Sequence, residues 1–510
     1  MRRTLIAAPT ELAAHAGARI ADEGGNAVDA AIAATVTAMC TEPGIIAPGA
    51  SGFLAIWPPT GEPLVVDAYA EMPGREAPRD RFGSGAWRVH MDYGGGMETM
   101  VGWGAVATPG AFAGFDLAWR RFGEAPWRLL LEPAVEAVRT GFPVSESAAN
   151  YLGYAHRVIF GWHPESRRLL HRADGRPVAA GDRLRIPELA ATLERLAHEG
   201  AETLYRGELA RALAAAVDEG GGLLGRADLE AYEPVVRTPT RFRLDDWEVA
   251  TNPPPAVGGV ALAAMLLLLG DRFEGWTAAG VRRAVEAFAA VGEYRRVRLS
   301  DPDDRVRAAE ELLRLAAGGD LPGIRRSAAT IHTSAVDSDG LACSITVSAG
   351  YGSGAVVPGT GFALNNSLGE LELAERGFHG LRPGTRLVSN MAPTVARGED
   401  GSVLAVGSPG ADRITTALAT VLLGFVHLGL SLTEAVHHPR LHVERFEGRP
   451  TIAYEPGLPV EPFDGYSVRR FPDRSMYFGG VQAALWHPAT GFFGVADPRR
   501  AGATATGGVD

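Results

Sequence analysis

The pattern of apolar residues changes near residue 320, and this change limits the folds open to the 510-residue chain. Before it, capping residues and apolar spacing predict helices at residues 10–24, 27–40, 111–121, 187–198, 207–218 and 278–295. Short strands are predicted at 53–57 and 64–69. After a glycine-rich break at 318–323, apolar and polar residues alternate as in strands, and one helix is predicted near 413–428. This order predicts an α+β fold of stacked sheets flanked by helices.

Two strands after the break form a predicted hairpin. Residues 329–336 and 341–349 both alternate, and the Asp-Ser-Asp-Gly turn at 337–340 joins them. A three-residue loop, with Gly340 in the left-handed backbone region, places Thr330 opposite Ser348. A two-residue loop would shift the register by one residue and place Ala349 there instead. We favour the three-residue loop.

In this register the polar side chains of Thr330, His332, Ser334, Ser344, Thr346 and Ser348 all project from one face of the hairpin. Threonine favours strands, and Thr–Ser pairs across strands are common. This face alone is therefore more typical of a structural role than of a catalytic one.

Composition excludes several kinds of chemistry. All 49 basic residues are arginine, which excludes a Walker-type phosphate loop, a Schiff-base lysine and a Ser–Lys dyad. The net charge of -11 argues against nucleic acid as a partner. The two cysteines, Cys40 and Cys343, form no CxxC motif, so we expect no zinc or iron–sulfur site built on thiolates. No motif in the sequence implies a metal or an organic cofactor. Without a secretion-type apolar core or a membrane-length apolar run, the sequence predicts a cytoplasmic protein that has no membrane partner.

Several short motifs resemble those of gamma-glutamyltransferase precursors, which are N-terminal nucleophile hydrolases. The segment TIHTSAVD at 330–337 is similar to the signature at which these precursors cut themselves. Asp337 and Gly340 match the Asp and the Gly that continue this signature. The other matches, in family order, are GGNAVDAA at 24–31, PG at 109–110 with GF at 114–115, PPP at 253–255 with GG at 258–259, LNN at 364–366, MAPT at 391–394, GSPG at 407–410 and DPR at 497–499. Each motif alone is weak evidence for the resemblance. Chance does not explain why all of them occur in the family order over most of the chain.

The resemblance implies a four-layer αββα sandwich made as a single precursor that cleaves itself between Ala329 and Thr330. The products would be a helix-rich segment 1–329 and a sheet-rich segment 330–510, which together form a heterodimer and one intertwined catalytic domain.

The resemblance also implies roles for individual residues. Thr330 would be the nucleophile, and its freed α-amine would accept the hydroxyl proton. Ser348 matches the second hydroxyl, which steadies that amine. Gly410 and Ala411 match the backbone N–H pair that holds an oxyanion. The resemblance also implies that the protein acts on a small molecule. It places six residues beside this substrate: Thr346, Gly350, Ser367, Glu370, Ser389 and Asn390.

The residues that would hold a glutamyl group are largely replaced. Ala70 stands where the family has an arginine that clamps the substrate carboxylate, and the nearby Arg75 is a possible substitute. Gly350 replaces an asparagine, and Glu370 alone keeps a charge where the family has an acidic pair. Because losing such a clamp costs several kcal/mol, the sequence predicts a substrate other than glutathione.

Three functions stay open. The first is a self-cleaving hydrolase or acyltransferase acting on a non-classical amide or acyl substrate, similar to cephalosporin-type acylases or to biosynthetic enzymes that break C–N or C–C bonds. The second is gamma-glutamyl hydrolysis or transfer with a rebuilt pocket that uses Arg75 or Arg413. The third is an uncleaved, inactive binding or scaffold protein, and retention of Thr330, Ser348 and Gly410 argues against it.

Overall fold

The computed structural model describes residues 2–93, 96–270, 273–300, 303–318, 330–374 and 376–508. Its α-helices are α1 (Glu11–Asp22), α2 (Ala27–Thr41), α3 (Ala111–Phe122), α4 (Trp127–Thr140), α5 (Glu146–Ala155), α6 (Pro164–Leu170), α7 (Pro187–Glu199), α8 (Glu208–Glu219), α9 (Arg226–Glu230), α10 (Gly258–Leu269), α11 (Ala278–Arg298), α12 (Arg305–Gly318), α13 (Arg413–Leu422) and α14 (Leu432–His437).

The strands are β1 (Thr4–Ala8), β2 (Ser51–Trp57), β3 (Leu64–Ala68), β4 (Trp87–Met91), β5 (Met97–Val101), β6 (Phe142–Pro143), β7 (Arg183–Leu184), β8 (Val235–Arg237), β9 (Thr240–Leu244), β10 (Trp247–Thr251), β11 (Ile331–Asp337), β12 (Ala342–Ser348), β13 (Val356–Val357), β14 (Phe362–Ala363), β15 (Thr394–Gly398), β16 (Val403–Gly407), β17 (Leu441–Phe446), β18 (Arg449–Tyr454), β19 (Ser467–Arg470), β20 (Gln482–His487), β21 (Gly491–Ala496) and β22 (Ala503–Gly507).

Two sheets lie face to face at the centre of the molecule. The first has the strand order β22-β1-β11-β12-β2-β3-β8, and the second has the order β21-β20-β16-β15-β10-β9. Helices α1 and α2 pack on the outer face of the first sheet, while α10 and α13 cover the second. The apolar residues between these layers are buried in two large clusters. This arrangement confirms the predicted α+β sandwich with the layer order αββα.

Most predicted elements are present with small shifts at their ends. The six helices predicted before residue 320 correspond to α1, α2, α3, α7, α8 and α11. The helix predicted at 413–428 is α13, which ends at Leu422 and continues as a π-helical turn, Leu423–His427. Strand β1 and helix α4 were not predicted. The sequence of β1, TLIAA, is too short to show a period, and Pro133 lies inside α4.

The predicted hairpin has the register of the three-residue loop. Ile331 pairs with Val347 and His332 with Thr346. Gly340 has φ +85°, and one Asp337 carboxylate oxygen accepts hydrogen bonds from the turn amides of residues 339 and 341, at 3.0 Å each. The other oxygen accepts one from Ala27 at the start of α2, at 3.2 Å. The turn is therefore fixed from within and tied to the neighbouring helix.

The polar face of the hairpin points at the second sheet and is held there by hydrogen bonds. The two ring nitrogens of His332 lie 2.8 Å from the hydroxyls of Thr346 and Ser334. The Ser344 hydroxyl donates to the carbonyl of Val406 at 3.1 Å. A side chain on Gly407 would begin 2.2 Å from Cε1 of His332, so only glycine fits beneath the imidazole. Most of this face therefore has a structural role.

The buried imidazole makes stability depend on pH. Burial lowers the pKa of His332 from 6.5 to about 3. Between these values the unfolded chain binds a proton that the folded chain does not, so the stability contributed by the neutral ring is lost as pH falls from 6.5 towards 3. Midway between the two pKa values, the free energy of unfolding falls by about 1.4 kcal/mol for each pH unit of acidification.

We therefore expect His332→Gln to flatten the decline of unfolding free energy between pH 6.5 and 4.5, measured by urea denaturation. The exposed His15→Gln variant should keep the wild-type slope. Equal slopes for wild type and His332→Gln would contradict this explanation.

Candidate active site

Thr330 lies at the start of β11, next to the end of β12. The observed register, extended by one residue, places it opposite Ser348, which pairs in turn with Ser51 on β2. All three residues are buried. The Ser348 hydroxyl accepts a hydrogen bond from the amide of Gly350 at 3.0 Å. The hairpin thus brings the expected nucleophile and the expected second hydroxyl together, whereas Ala329 lies outside the described residues.

Gly410 and Ala411 form a turn between β16 and α13, here called the oxyanion turn (residues 408–411). Gly410 has φ +124°, and Ala411 has φ +67°, a left-handed conformation that is strained for a residue with a side chain. Among the residues that the structure describes, no acceptor binds either amide. The turn also precedes the positive end of the α13 dipole. These amides are suited to stabilise a developing negative charge on a carbonyl oxygen.

The segment 475–481, here called the support loop, packs on the oxyanion turn. A side chain on Gly410 would begin 2.7 Å from Cα of Gly479, and the Gly480 amide donates to the Ser408 hydroxyl at 3.2 Å. Because the backbones touch, displacement of the support loop would displace the turn.

Buried charges fix the support loop. Arg413 Nε donates to the carbonyl of Tyr477, and Arg440 Nη1 donates to that of Phe478, both at 3.0 Å. Asp497 Oδ2 accepts from the Val481 amide at 2.8 Å and pairs with Arg440.

Arg499 completes this network by pairing with Asp497 at 3.1 Å and with Glu455. Burial alone would raise the pKa of Asp497, but the two arginines hold it below its usual value. Asp497 therefore keeps its negative charge, and the DPR motif at 497–499 anchors the support loop.

The residues expected around a glutamyl group are packed inside the protein. Ala70, Ser367, Ser389 and Asn390 are all buried, and the Tyr69 hydroxyl is hydrogen-bonded to Ser389. The Ala70 carbonyl accepts from the Leu387 amide at 2.9 Å. Little space is left where the family's glutamyl clamp would stand.

Glu370 is buried close to Gly350. A side chain on Gly350 would begin 3.2 Å from Oε1 of Glu370 and 2.1 Å from Oδ1 of Asn366, so glycine permits this approach. Burial, followed by the charge of Glu372, raises the pKa of Glu370 well above its usual range. Burial therefore favours the protonated form of this carboxyl over the anion.

The side chains of two other expected substrate-binding residues, Arg75 and Thr346, are already bonded to other protein groups. Arg75 pairs with Asp228 at 3.4 Å and with Glu71 at 3.5 Å, and it does not line the large cavity described below. Thr346 lies two residues before Ser348 on β12, and its hydroxyl is hydrogen-bonded to the His332 ring. The structure therefore does not bring Arg75 into the group formed by Thr330 and Ser348.

A cavity of about 730 Å³ is lined in part by close sequence neighbours of the candidate catalytic residues. Tyr351 and Arg413 line it, and they follow Gly350 and the oxyanion turn, respectively. Arg413 pairs with Asp412 at 2.8 Å, as expected for a structural arginine, yet its side chain also forms part of the cavity wall.

Sequence reasoning missed most of the other residues that line this cavity, because they carry no motif. They come from the β4–β5 hairpin and from the segment after Glu370, and include Tyr93, Met97, Met100, Glu372 and Phe378.

The described residues contain no group of three or more His, Cys, Asp or Glu side chains able to hold a metal ion. Within the same part of the chain, no helix has the length and apolar character needed to cross a membrane.

Comparisons with known proteins agree with this geometry. The family model for gamma-glutamyltranspeptidase matches residues 13–507. The glutathione hydrolase proenzyme of Escherichia coli (strain K12) is 28% identical over 98% of this chain and 90% of its own length. The acylase ACY 1 proenzyme of Pseudomonas sp. (strain V22) is 31% identical over 87% of this chain and 83% of its own.

A solved structure is similar over almost the whole fold. The cephalosporin acylase from Bacillus halodurans superposes with a TM-score of 0.81 at 25% identity, covering 99% of this chain and 96% of that one. The match to the family model over nearly all residues, together with these relatives, shows that the chain belongs to the gamma-glutamyltranspeptidase family.

Proposed function

We propose that this protein is a self-cleaving hydrolase or acyltransferase that uses Thr330 as its nucleophile and acts on an acyl group other than gamma-glutamyl. One observation carries the proposal. An open cavity is lined by Tyr351 and by Arg413, whose Cβ lies 3.8 Å from the point where a side chain on Gly410 would begin, while Ala70, at the expected position of the glutamyl clamp, is buried. Both hydrolase and acylase proenzymes occur among the relatives.

The proposed reaction begins after the bond between Ala329 and Thr330 is cut, which frees the Thr330 α-amine. A free α-amine has a pKa of about 8, so a useful fraction is unprotonated at neutral pH. It accepts the proton of the Thr330 hydroxyl as the oxygen attacks the substrate carbonyl. Ser348 keeps the amine in place.

The attack places negative charge on the carbonyl oxygen, where the amides of Gly410 and Ala411 stabilise it. The protonated amine then gives its proton to the leaving group, and an ester remains on Thr330. Water hydrolyses the ester in a hydrolase, and an acceptor amine takes the acyl group in a transferase. The same attack would break a C–C bond whose leaving carbon can accept the proton.

The two segments should stay together after cleavage. Strands β1 and β2 of segment 1–329 flank β11 and β12 of segment 330–510 in one hydrogen-bonded sheet. We therefore propose a heterodimer with a single active site; its cytoplasmic location stays a prediction.

Gamma-glutamyl hydrolysis is the weaker alternative, because Arg75 is already paired with two carboxylates. The scaffold alternative leaves the shared arrangement of Thr330, Ser348 and the oxyanion turn unexplained.

Replacing the nucleophile tests self-cleavage. Thr330→Ala should remain one chain and lose all turnover, because no hydroxyl remains to attack. Thr330→Ser keeps a hydroxyl and should still yield two fragments at a lower rate. Denaturing gel electrophoresis with an amide turnover assay measures both effects; fragments or turnover from Thr330→Ala would refute the mechanism.

A substrate comparison tests the altered specificity. We expect gamma-glutamyl-p-nitroanilide to have a kcat/KM roughly 100-fold below that of the best substrate in a mass-spectrometric screen of other amides, because the carboxylate clamp is missing. If the gamma-glutamyl compound is the best substrate, the specificity proposal is wrong.

The buried network offers a test of how the oxyanion turn is positioned. Asp497→Asn removes the charge that holds Arg440 and weakens the anchor of the support loop. We expect kcat for the best amide to fall roughly 10- to 100-fold, since loss of an oxyanion donor has effects of this size or larger. KM should change less than kcat, because Tyr477 is the one residue of the support loop among those described as lining the cavity.

Asp29→Asn is the matched control for this variant. Asp29 is equally buried and accepts three backbone hydrogen bonds, from Asn26, Glu124 and Ala125, away from the oxyanion turn. It should lower the melting temperature without changing kcat. If Asp497→Asn lowers only the melting temperature, its role is purely structural.

A further inference from the structure

Aromatic and thioether side chains supply a large part of the wall of the cavity, beside several charged ones. Its apolar side chains include those of Tyr93, Met97, Met100, Tyr351 and Phe378. Aromatic rings and methionine sulfur make favourable contacts with another ring, and methionine adapts to its shape. At about 730 Å³, the cavity has the size that encloses a drug-sized molecule.

The charged groups at the cavity already have partners. Arg413 pairs with Asp412 and Arg88 with Glu98, each at 2.8 Å. The Tyr351 hydroxyl donates to Glu372 at 2.8 Å. A charged substrate group would compete with these contacts, whereas an uncharged ring would lose nothing by leaving water.

Glu372 faces the cavity and remains accessible to solvent there, although protein surrounds it on most sides. This partial burial raises the pKa of its carboxyl to about 7. Near neutral pH this carboxyl is therefore only partly ionised, which lowers the average charge of the cavity wall.

We propose that this cavity binds an aromatic group of the substrate, so that the protein acts on amides with an aryl or arylalkyl part. This inference rests on the proposed function. The ring can belong to the acyl part or to the amine part of the amide, and two isomeric probes distinguish these sources. N-butyl-2-phenylacetamide carries the ring on the acyl side, and N-benzylpentanamide carries it on the amine side.

The turnover experiment compares both isomers with the aliphatic N-butylhexanamide, using the mature protein and mass spectrometry of the released amine. One isomer should have a kcat/KM at least about tenfold above that of the aliphatic amide. The preferred isomer identifies which part of the substrate enters the cavity. Equal or lower values for both isomers would overturn the aromatic site.

Variants of the wall test the same site. Phe378→Ala and Met97→Ala should each raise KM for the preferred aromatic probe roughly tenfold, and by more than they raise KM for the aliphatic amide. Phe493→Ala is the control, because Phe493 is an exposed aromatic residue on β21 that does not line the cavity. An unchanged aromatic preference in both wall variants would contradict the proposal.

Binding to the Thr330→Ala variant separates this inference from the proposed reaction. Calorimetry should give a Kd for the preferred aromatic probe at least about tenfold below that of the aliphatic amide. Tight aromatic binding without turnover by the mature protein would contradict the reaction and support the site. Turnover of all three amides with equal Kd values would support the reaction and overturn the site.

Discussion

The backbone hydrogen bonds between β11 and β12 are the constraint on which the proposed active site depends. Their register puts Thr330 opposite Ser348, and a shift by one residue would separate the nucleophile from the hydroxyl that supports it. Asp337 resists such a shift, because it binds both the turn amides and the start of α2. Farther along the strands, His332 fills the space above Gly407 and keeps the two sheets in fixed alignment.

The sequence was sufficient to predict the hairpin because its register follows from local turn chemistry. Gly340 has the left-handed conformation that the three-residue loop requires. The αββα layers followed from family motifs, since Thr330 and Gly410 belong to motifs that recur in a fixed order. Strand β1 escaped prediction, because its short, largely apolar run becomes a strand only by pairing with β11 and β22.

The cavity could not be predicted for a different physical reason. Its wall joins the β4–β5 hairpin to Tyr351 and Phe378, which are hundreds of residues away and have no characteristic spacing. The support loop was also hidden. The DPR motif was visible at 497–499, but its partner Arg440 gives no local signal, and their contact arises only when the chain folds.

We propose that catalysis and recognition depend on largely different parts of this protein. Backbone geometry and a buried charge network hold the candidate catalytic groups, and Arg413 and Tyr477 connect this network to the wall of the proposed substrate cavity. In this proposal the rest of an acyl pocket can change without disturbing the oxyanion turn. The alanine at position 70, where the resemblance implies an arginine, and the aromatic residues of the cavity would be two parts of that change.

N-terminal sequencing of the purified, active protein tests the central claim most directly. The account predicts two sequences, one from the first segment and one that begins Thr-Ile-His at Thr330. An active preparation without any polypeptide that starts at this threonine would contradict it.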